Sequence, residues 1–282
     1  MPPGSFSEVY SPRAFLGEGR LFCTGRCFMF WQDGTRALGT AMWGKPLEAD
    51  IAEMVPFFEV GVAPRFKGHV SFVDGRKLES IDVLAFGKLL AYLNSRRHAW
   101  GPNIGKQAIL HPGGFTGVVV SGALHVARTP YPFETFETEA QPAFDWCGVG
   151  DLAADYEAQL NEVTKVPEVV RLVRGALRDE PKAEVADLAK KLGMSERTLQ
   201  RRLEEANTSL RDERERLVTQ QIEHLLGGTD MDLEAIAAKV GLHSASHLVR
   251  RFKETHGTTP GEWRAQRRSC ALRSATTAPR SS

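Results

Sequence analysis

The sequence predicts a protein with two folded parts, an α/β part followed by an all-α part. Strand-like and helix-like patterns alternate over residues 28–147, whereas one helical pattern occurs twice after residue 165. The net charge also changes sign, from −4 over residues 1–164 to +5 over residues 165–282. The length agrees, because the chain has 282 residues and a typical domain has roughly 100–200.

The composition is that of an ordinary globular protein. It includes 42% hydrophobic and 25% charged residues, and no apolar run approaches the ~18–20 residues of a membrane-spanning helix. The first 30 residues contain charged side chains and no clean apolar stretch, so we expect no secretory signal and a cytoplasmic location. The four cysteines are too scattered for a disulfide framework. Free thiols are favoured at Cys23 and Cys27, with a redox pair or half of a metal site as the alternative.

The alternating patterns of the first half predict a sheet covered by helices. One or two strands are predicted at 28–43, with further strands at 69–73, 106–111 and Phe133–Phe136. Helices are predicted at 46–59, 82–97, 114–127 and 139–147. Strands that alternate with helices form a parallel or mixed sheet, because a crossover helix connects each parallel pair. The predicted fold of this half is therefore a mixed sheet with covering helices.

An internal repeat dominates the second half. Its copies are AEVADLAKKLGMSERTLQRRL at residues 183–203 and MDLEAIAAKVGLHSASHLVRRF at residues 231–252. Apolar residues keep helical spacing in both copies, and each run stops at a glycine, Gly193 or Gly241, which can adopt the positive φ of a helix C-terminus. A residue that favours helix starts follows, Ser195 or Ser244. Two short helices joined by such a turn form a helix-turn-helix unit, and the second copy makes a plain helical hairpin the weaker alternative.

Two further helices complete the all-α half. Leu210, Leu217, Ile222 and Leu225 mark an amphipathic linker helix between the copies, and another helix is predicted from Pro167 to Arg178. The predicted domains are an N-terminal extension at 1–27, an α/β domain at 28–150, a linker at 151–164, a double helix-turn-helix domain at 165–268 and a flexible tail at 269–282.

A longer motif follows the second copy. Residues 252–264 read FKETHGTTPGEWR, which resembles the F-K-x-x-x-G-x-T-P-x-x-Y-R pattern of the AraC/XylS family of bacterial transcription regulators, with Trp263 in place of tyrosine. Together with both copies of the repeat, the resemblance covers residues 165–268. It implies an all-α DNA-binding domain in which a linker helix joins two helix-turn-helix subdomains.

A second resemblance concerns the α/β half. Residues 72–90, FVDGRKLESIDVLAFGKLL, resemble the core motif of STAS domains, the fold of anti-sigma-factor antagonists, and the likeness extends loosely over 28–148. It implies a sensory or interaction domain, in place of the cupin-type barrel that AraC/XylS regulators usually have there. Val83 or Leu84 stands where STAS domains have a phosphorylatable serine, so we expect no phosphoswitch of that type. Burial on a helix face is favoured for Val83, Leu84 and Phe86 over a surface that binds a partner.

The second helix of each unit holds the predicted DNA contacts. That helix enters the major groove, where arginine can bind guanine and glutamine can bind adenine through paired hydrogen bonds. The predicted base-contacting residues are Arg197, Gln200, Arg201, Ala245, Ser246, His247 and Arg250, and the predicted phosphate-contacting residues are Ser195, Thr198, Arg202 and Arg251. The resemblance assigns base contact to Arg197, Gln200 and Arg201 in particular. We expect the first unit to discriminate between sequences and the second to supply more of the phosphate contacts.

Catalytic motifs are weak by comparison. HPGGFTG at 111–117 looks like a phosphate loop, but it lacks the lysine and the glycine spacing of the known motifs, so a turn from strand to helix is favoured. No triad, carboxylate pair or metal spacing stands out.

The predicted function is a cytoplasmic, sequence-specific transcription regulator that is not an enzyme and uses no cofactor. Its expected partners are double-stranded DNA, RNA polymerase or another transcription protein, a small-molecule or protein effector at the N-terminal domain, and a second copy in a homodimer, with no membrane. The alternative is a partner-switching interaction protein whose basic half binds DNA only weakly. An enzyme in the α/β half has only the glycine loop in its favour.

Overall fold

The computed structural model of the protein describes residues 6–80, 82–114 and 129–265. The chain divides into two compact units, Met1–Thr208 and Ser209–Ser282, each with a hydrophobic core of its own. The first unit contains a seven-stranded mixed sheet with covering helices, and the second is helical. Among the helices of the described ranges, none has the length and apolarity needed to cross a membrane.

The strands of the sheet lie side by side in chain order. They are β1 (Ser7–Glu8), β2 (Arg20–Thr24), β3 (Phe28–Asp33), β4 (Ala37–Gly44), β5 (His69–Leu78), β6 (Ile104–His111) and β7 (Phe133–Glu137). Strands β2, β3 and β4 form an antiparallel meander, β4 to β7 run parallel, and β1 is parallel to β2. Helices connect β4 to β5 and β5 to β6, because a tight turn cannot join parallel neighbours.

The described α-helices agree with most of the predicted ones. Those of the first unit are α1 (Glu48–Phe58), α2 (Val83–Trp100), α3 (Gln141–Cys147), α4 (Ala153–Lys165), α5 (Glu168–Asp179), α6 (Val185–Lys191) and α7 (Glu196–Glu205). Those of the second unit are α8 (Leu210–Gly228), α9 (Leu233–Lys239) and α10 (Ala245–His256). The mixed sheet with covering helices is therefore confirmed. The helix predicted at 114–127 lies, apart from its first residue, outside the described residues, as does the predicted tail.

One face of the sheet packs against α3 and α4 around a cluster of aromatic rings. Tyr156 of α4 is fully buried, and its ring centroid lies 5.2 Å from that of Trp31 and 5.1 Å from that of Phe144. Its hydroxyl donates a 2.6 Å hydrogen bond to the carboxylate of Asp74, which is 2% exposed. Arg76 donates a second bond of 2.6 Å to the same carboxylate. Because a buried carboxylate is costly unless it is paired, these bonds fix α4 on the sheet.

The opposite face packs against α1. Ile51, Met54 and Phe57 of that helix are buried against Phe28 and Phe30 of β3. The rings of Phe30 and Phe57 lie 5.6 Å apart between centroids. The alternation of side chains along β3 therefore places apolar groups in both cores of the first unit.

Helix α2 packs mainly on α1. Its buried stripe begins with Ala85 and continues one turn later with Leu89, which is partly buried against the same core. Val83 and Leu84 lie off this stripe and are 82% and 68% exposed. The prediction that a helix face buries Val83 and Leu84 is therefore wrong, whereas Phe86 is half-buried.

Two predicted boundaries are corrected by the sheet. Residues 1–27 are not an extension, because β1 and β2 belong to the sheet and Phe22 and Cys23 are buried in its two cores. Residues 151–164 are not a linker, because α4 occupies most of that stretch and packs Leu160 against the sheet.

The predicted domain at 165–268 is not separate from the sheet either. In α5, the guanidinium of Arg171 donates a 2.7 Å hydrogen bond to the carbonyl of Arg26, and Arg178 lies 3.2 Å from the sulfur of Cys23. The division between the two units falls after Thr208, between the two copies of the repeat. The first copy therefore belongs to the same compact unit as the sheet.

The cysteines within the described residues are buried free thiols. Burial raises the pKa of Cys23, Cys27 and Cys147 to about 12. Such thiols stay protonated at neutral pH, whereas the thiolate is the form that binds metals and exchanges disulfides. The prediction of free thiols is confirmed for Cys23 and Cys27, and Cys147 is a free thiol as well.

Tyr156→Phe tests the contact that fixes α4. Because the variant removes one donor from the buried carboxylate of Asp74, we expect the free energy of unfolding of the first unit to fall by about 1.5–3 kcal/mol. Urea unfolding of the full chain, followed by circular dichroism, measures this change. Tyr131→Phe is the matched control, since Tyr131 is also buried but its hydroxyl has no partner among the described contacts. Equal losses in both variants would contradict the assigned role.

Candidate nucleic-acid interface

The first copy of the repeat folds as two helices joined by a glycine turn. Gly193, between α6 and α7, has a φ of 66°, a conformation that favours glycine. The hydroxyl of Ser195 then begins α7 by accepting a 3.2 Å hydrogen bond from the backbone N–H of Thr198. Leu188 of α6 and Leu199 of α7 are buried. The turn and the inward-facing side chains are those that the repeat predicts.

The outer face of α7 presents the side chains predicted to contact bases. Arg197, Gln200 and Arg201 are all exposed, whereas Leu199 and Leu203 are buried. Arg201 pairs with Glu205 one turn further along. Ion pairs between exposed side chains contribute only about 0–1 kcal/mol, so the guanidinium can exchange this partner for a base at small cost.

The phosphate-contacting residues predicted in this copy lie in two places. Ser195 is exposed at the N-terminus of α7, and its hydroxyl oxygen lies 2.8 Å from that of the half-buried Thr198. Backbone N–H groups and hydroxyls at a helix N-terminus suit phosphate oxygens. Arg202 is exposed nearly two turns further along, so it would contact a different phosphate.

The second copy repeats this local geometry. Gly241 has a φ of 76°, and the hydroxyl of Ser244 begins α10 by accepting a 3.2 Å hydrogen bond from the backbone N–H of His247. Leu248 and Phe252 are fully buried in a core that includes side chains of α8 and α9. The second unit therefore contains a helix pair of the same design, with α10 in the position of α7.

The outer face of α10 has fewer long polar side chains. Ser246 and Arg250 are exposed, whereas Ala245 and His247 are half-buried. The helix nevertheless has a positive charge, because two arginines and a lysine stand against one glutamate. By contrast, α7 has three arginines and three glutamates.

Arg251 has a structural contact that the sequence did not reveal. It is half-buried, and its guanidinium donates a 2.8 Å hydrogen bond to the carbonyl of Glu215 in α8. His256 and Glu223 form a second contact between the same two helices, at 2.7 Å. The position of α10 on the linker helix thus depends on Arg251, and a phosphate contact by this residue stays a prediction.

Glu234 also escaped the sequence analysis. In the first turn of α9, its carboxylate accepts a 3.1 Å hydrogen bond from the backbone N–H of Ala245, which joins the two helices of the second pair. Acidic residues are common in a first helical turn, so the sequence offers no sign of this additional bond. A backbone acceptor such as the carbonyl of Glu215 leaves no sign either, because every residue has one.

The closing motif begins another helical stretch at residues 260–265. Thr259 accepts a 3.3 Å hydrogen bond from the backbone N–H of Glu262, while the carboxylate of Glu262 accepts a 2.9 Å bond from the backbone N–H of Thr259. The hydrogen bonds that this carboxylate accepts from the backbone and hydroxyl of Thr259 and from the hydroxyl of Thr258 hold the pKa of Glu262 below its ordinary value. Trp263 then packs edge-on to Phe252, with 5.7 Å between ring centroids, so tryptophan suits the place of the usual tyrosine.

Comparison with known proteins finds a family match in the helical part of the chain. Residues 188–266 match the family model described as a helix-turn-helix domain, which is of the AraC type. This range includes most of both helix pairs and the closing motif. The predicted AraC resemblance is confirmed there. The family match does not reach the sheet, for which the STAS-like assignment stays a prediction.

Several solved structures are similar to about a third of the chain. A DNA-binding transcriptional dual regulator from Escherichia coli K-12 is 24% identical over 36% of this chain and 98% of that chain, with a TM-score of 0.33. A probable AraC family transcriptional regulator from Rhodopseudomonas palustris CGA009 is 21% identical over 36% and 98%, with a TM-score of 0.32. The DNA-binding domain of AdpA, a global transcriptional factor in complex with a target DNA, is 25% identical over 36% and 93%, with a TM-score of 0.31. No match was found among curated proteins.

Gly193→Ala tests the turn of the first helix pair. A side chain at this positive φ costs about 1–2 kcal/mol, so we expect the free energy of unfolding to fall by that amount. Steric clash plays no part, because an added Cβ meets no atom within 4 Å.

Gly87→Ala is the matched control in the same unit. Gly87 lies inside α2 in equally open space, and alanine there should raise the free energy of unfolding by about 0.5–1 kcal/mol. Urea titration measures the free energy of unfolding of both variants. A change of the same sign in both would contradict the effect expected from the positive φ of Gly193.

Proposed function

We propose that this protein is a sequence-specific DNA-binding transcription regulator with two helix-turn-helix units, and that its sheet-containing half senses an effector. The observation that carries the proposal is the outer face of α7, where Arg197, Gln200 and Arg201 are exposed while Leu199 and Leu203 are buried. In helix-turn-helix proteins the second helix lies in the major groove. The AraC-type domain at 188–266 supports the same function.

The exposed side chains suit particular bases. Arg197 and Arg201, one turn apart, can each donate two hydrogen bonds to guanine, and Gln200 between them can pair with adenine. On α10, Arg250 offers a further guanine contact, whereas Ala245 can contact only the methyl group of thymine. The proposed base-contacting set is Arg197, Gln200, Arg201, Ala245, Ser246, His247 and Arg250, and the proposed phosphate-contacting set is Ser195, Thr198, Arg202 and Arg251.

We assign most base discrimination to α7, and to α10 the larger share of the attraction to the DNA backbone that does not depend on sequence. The positive charge of α10 attracts the DNA backbone without regard to sequence. The charges of α7 balance, so its long exposed side chains add specificity more than general attraction.

The sheet half is proposed to act without phosphorylation, because neither Val83 nor Leu84 has a hydroxyl at the STAS-like position. Its effector is a small molecule or a protein. The further proposed partners are RNA polymerase or another transcription protein, and a second copy of the chain.

The exposure of Val83 and Leu84 also favours a second candidate function, a partner-switching module that binds DNA only weakly. Regulatory phosphate on this turn, for example at Ser80, would contradict the proposal.

Selection of genomic DNA fragments by the purified full-length protein tests the proposed function. We expect enrichment of fragments that share one sequence pattern, with an affinity that falls steeply as salt increases. About 4–8 phosphate contacts would each add about −0.9 to the slope of log affinity against log salt. The full chain is needed because Arg171 and Arg178 of α5 contact the sheet. Equal binding to all fragments would support the second candidate, and no salt-dependent binding would refute the proposed function.

Arg201→Ala and Arg202→Ala separate base contact from phosphate contact on one helix. Arg201→Ala should cost about 1–3 kcal/mol at one or two positions of the operator and relax the preference there. Arg202→Ala should weaken binding to all operator variants about equally and lower the salt slope by about one. Both residues are exposed, so neither change should affect folding. Fluorescence anisotropy with a panel of single-base operator variants measures both effects, and the opposite pattern would reverse the assigned roles.

Arg251→Ala is expected to weaken binding to all sequences as well. Its interpretation needs a stability measurement, because the variant also removes the hydrogen bond to the carbonyl of Glu215.

A further inference from the structure

An apolar cavity lies in the first unit between α2 and the sheet. Its floor consists of residues that pair across β4, β5 and β6 and therefore share one face of the sheet. They are Leu38, Ser71 and Gln107 in one row and Thr40 and Val73 in the next. Its roof is formed by Phe86, Leu89, Leu90 and Leu93 of α2.

The roof does not pack tightly on the floor. Phe86, Leu89, Leu90 and Leu93 have the i, i+3, i+4, i+7 spacing of a helix face that packs on a core. All four are only half-buried, and so is Val73 on β5, an interior strand of the sheet. A cavity of about 170 Å³ is therefore left between the helix and the sheet.

The lining favours a neutral apolar molecule with one polar group. Most lining side chains are aliphatic or aromatic, and among them Gln107 donates a 3.1 Å hydrogen bond to the hydroxyl of Ser71. His69 is neutral at physiological pH, because burial lowers its pKa. The carboxylate of Asp82 is used to cap α2, and Arg97 is exposed at the rim. The cavity therefore presents a hydrogen-bonding hydroxyl and no buried charge from its described lining residues.

We propose that this cavity binds a small neutral aromatic molecule, a single ring with one hydroxyl group that hydrogen-bonds to Ser71. An apolar cavity of about 150 Å³ can bind benzene, so about 170 Å³ accommodates one ring with small substituents. Only the identification of this ligand as the effector of the regulator rests on the proposed function. Binding itself is a property of the first unit and is measured without DNA.

Calorimetric titration of the full-length protein with p-cresol tests the proposal. We expect one site, with a change in the methyl NMR signal of Met42, which lines the cavity, and none for Met54, a buried residue of α1 outside the lining. Toluene, which lacks the hydroxyl, should bind at the same site. Ser71→Ala should weaken p-cresol binding about threefold to tenfold and leave toluene binding within about twofold, because the variant removes one hydrogen bond.

Variants that fill the cavity test whether the probes bind there. Val73→Phe places a larger side chain on the floor and should weaken binding of both probes at least about tenfold. Val83→Phe makes the same chemical change at an exposed position outside the lining, and it should leave affinity within about twofold. If Val73→Phe does not fold, as judged by circular dichroism, Leu90→Phe fills the cavity from the helix side.

Absence of binding of both probes up to their solubility limits overturns the inference, and so does binding that the filling variant leaves unchanged. The DNA selection described above is an independent measurement on the same preparation. If the protein enriches an operator but binds neither probe, the proposed function stands and this inference is overturned. If the protein binds the probes but selects no DNA, the cavity site stands and the proposed function is overturned.

Discussion

The buried carboxylate of Asp74 is the point on which the architecture of the first unit depends. Its partners come from separate elements, since Tyr156 belongs to α4 and Arg76 to β5. Arg76 also reaches Glu157 of α4 at 2.7 Å and the carbonyl of Thr138 at 2.9 Å. Without these donors the charge would be unpaired in the core, so the sheet accommodates Asp74 only when α4 lies across it.

The placement of α4 determines where the first helix pair begins. Helix α5 follows after a break of two residues, and Glu168 at its start binds Arg26 at 2.8 Å, which in turn pairs with Asp50 of α1 at 2.5 Å. Further along, Arg178 lies 3.6 Å from the carboxylate of Glu53 in α1. Since α5 also contacts α6 and α7, the first helix pair is held on the sheet through polar contacts.

Regular periodicity made much of this structure predictable. The stripe through Leu199 and Leu203 fixed which side chains of α7 are exposed, and the glycines marked both turns. Helix α4 has the same kind of stripe, through Tyr156 and Leu160, although the sequence analysis predicted a linker there. Strand β2 was missed for another reason, because four of its five residues are buried and the strand therefore lacks alternation.

Contacts between particular side chains and backbone groups were not predictable. The bond from Arg251 to a carbonyl of α8 depends on how two helices cross, which local spacing does not determine. The exposure of Val83 and Leu84 depends in the same way on where α2 meets α1. The cavity is a tertiary feature too, since the stripe on α2 predicts a buried helix face and contains no sign that the face stands away from the sheet.

The attachment of α2 connects this cavity to α7. Besides the apolar contacts of Ala85 and Leu89, two polar pairs hold α2, from Lys88 to Glu48 of α1 and from Arg96 to Glu59, which directly follows α1. Such exposed pairs contribute about 0–1 kcal/mol each, whereas full burial of a large apolar side chain contributes about 1.5–3 kcal/mol. A ligand shifts an equilibrium only by the difference in its affinity for two arrangements. A molecule in the cavity gains its contacts only while α2 lies over the sheet, so it favours that arrangement of α2 and α1. Because α1 contacts α5 and α5 contacts α7, this bias acts on elements that touch α7 within one compact unit.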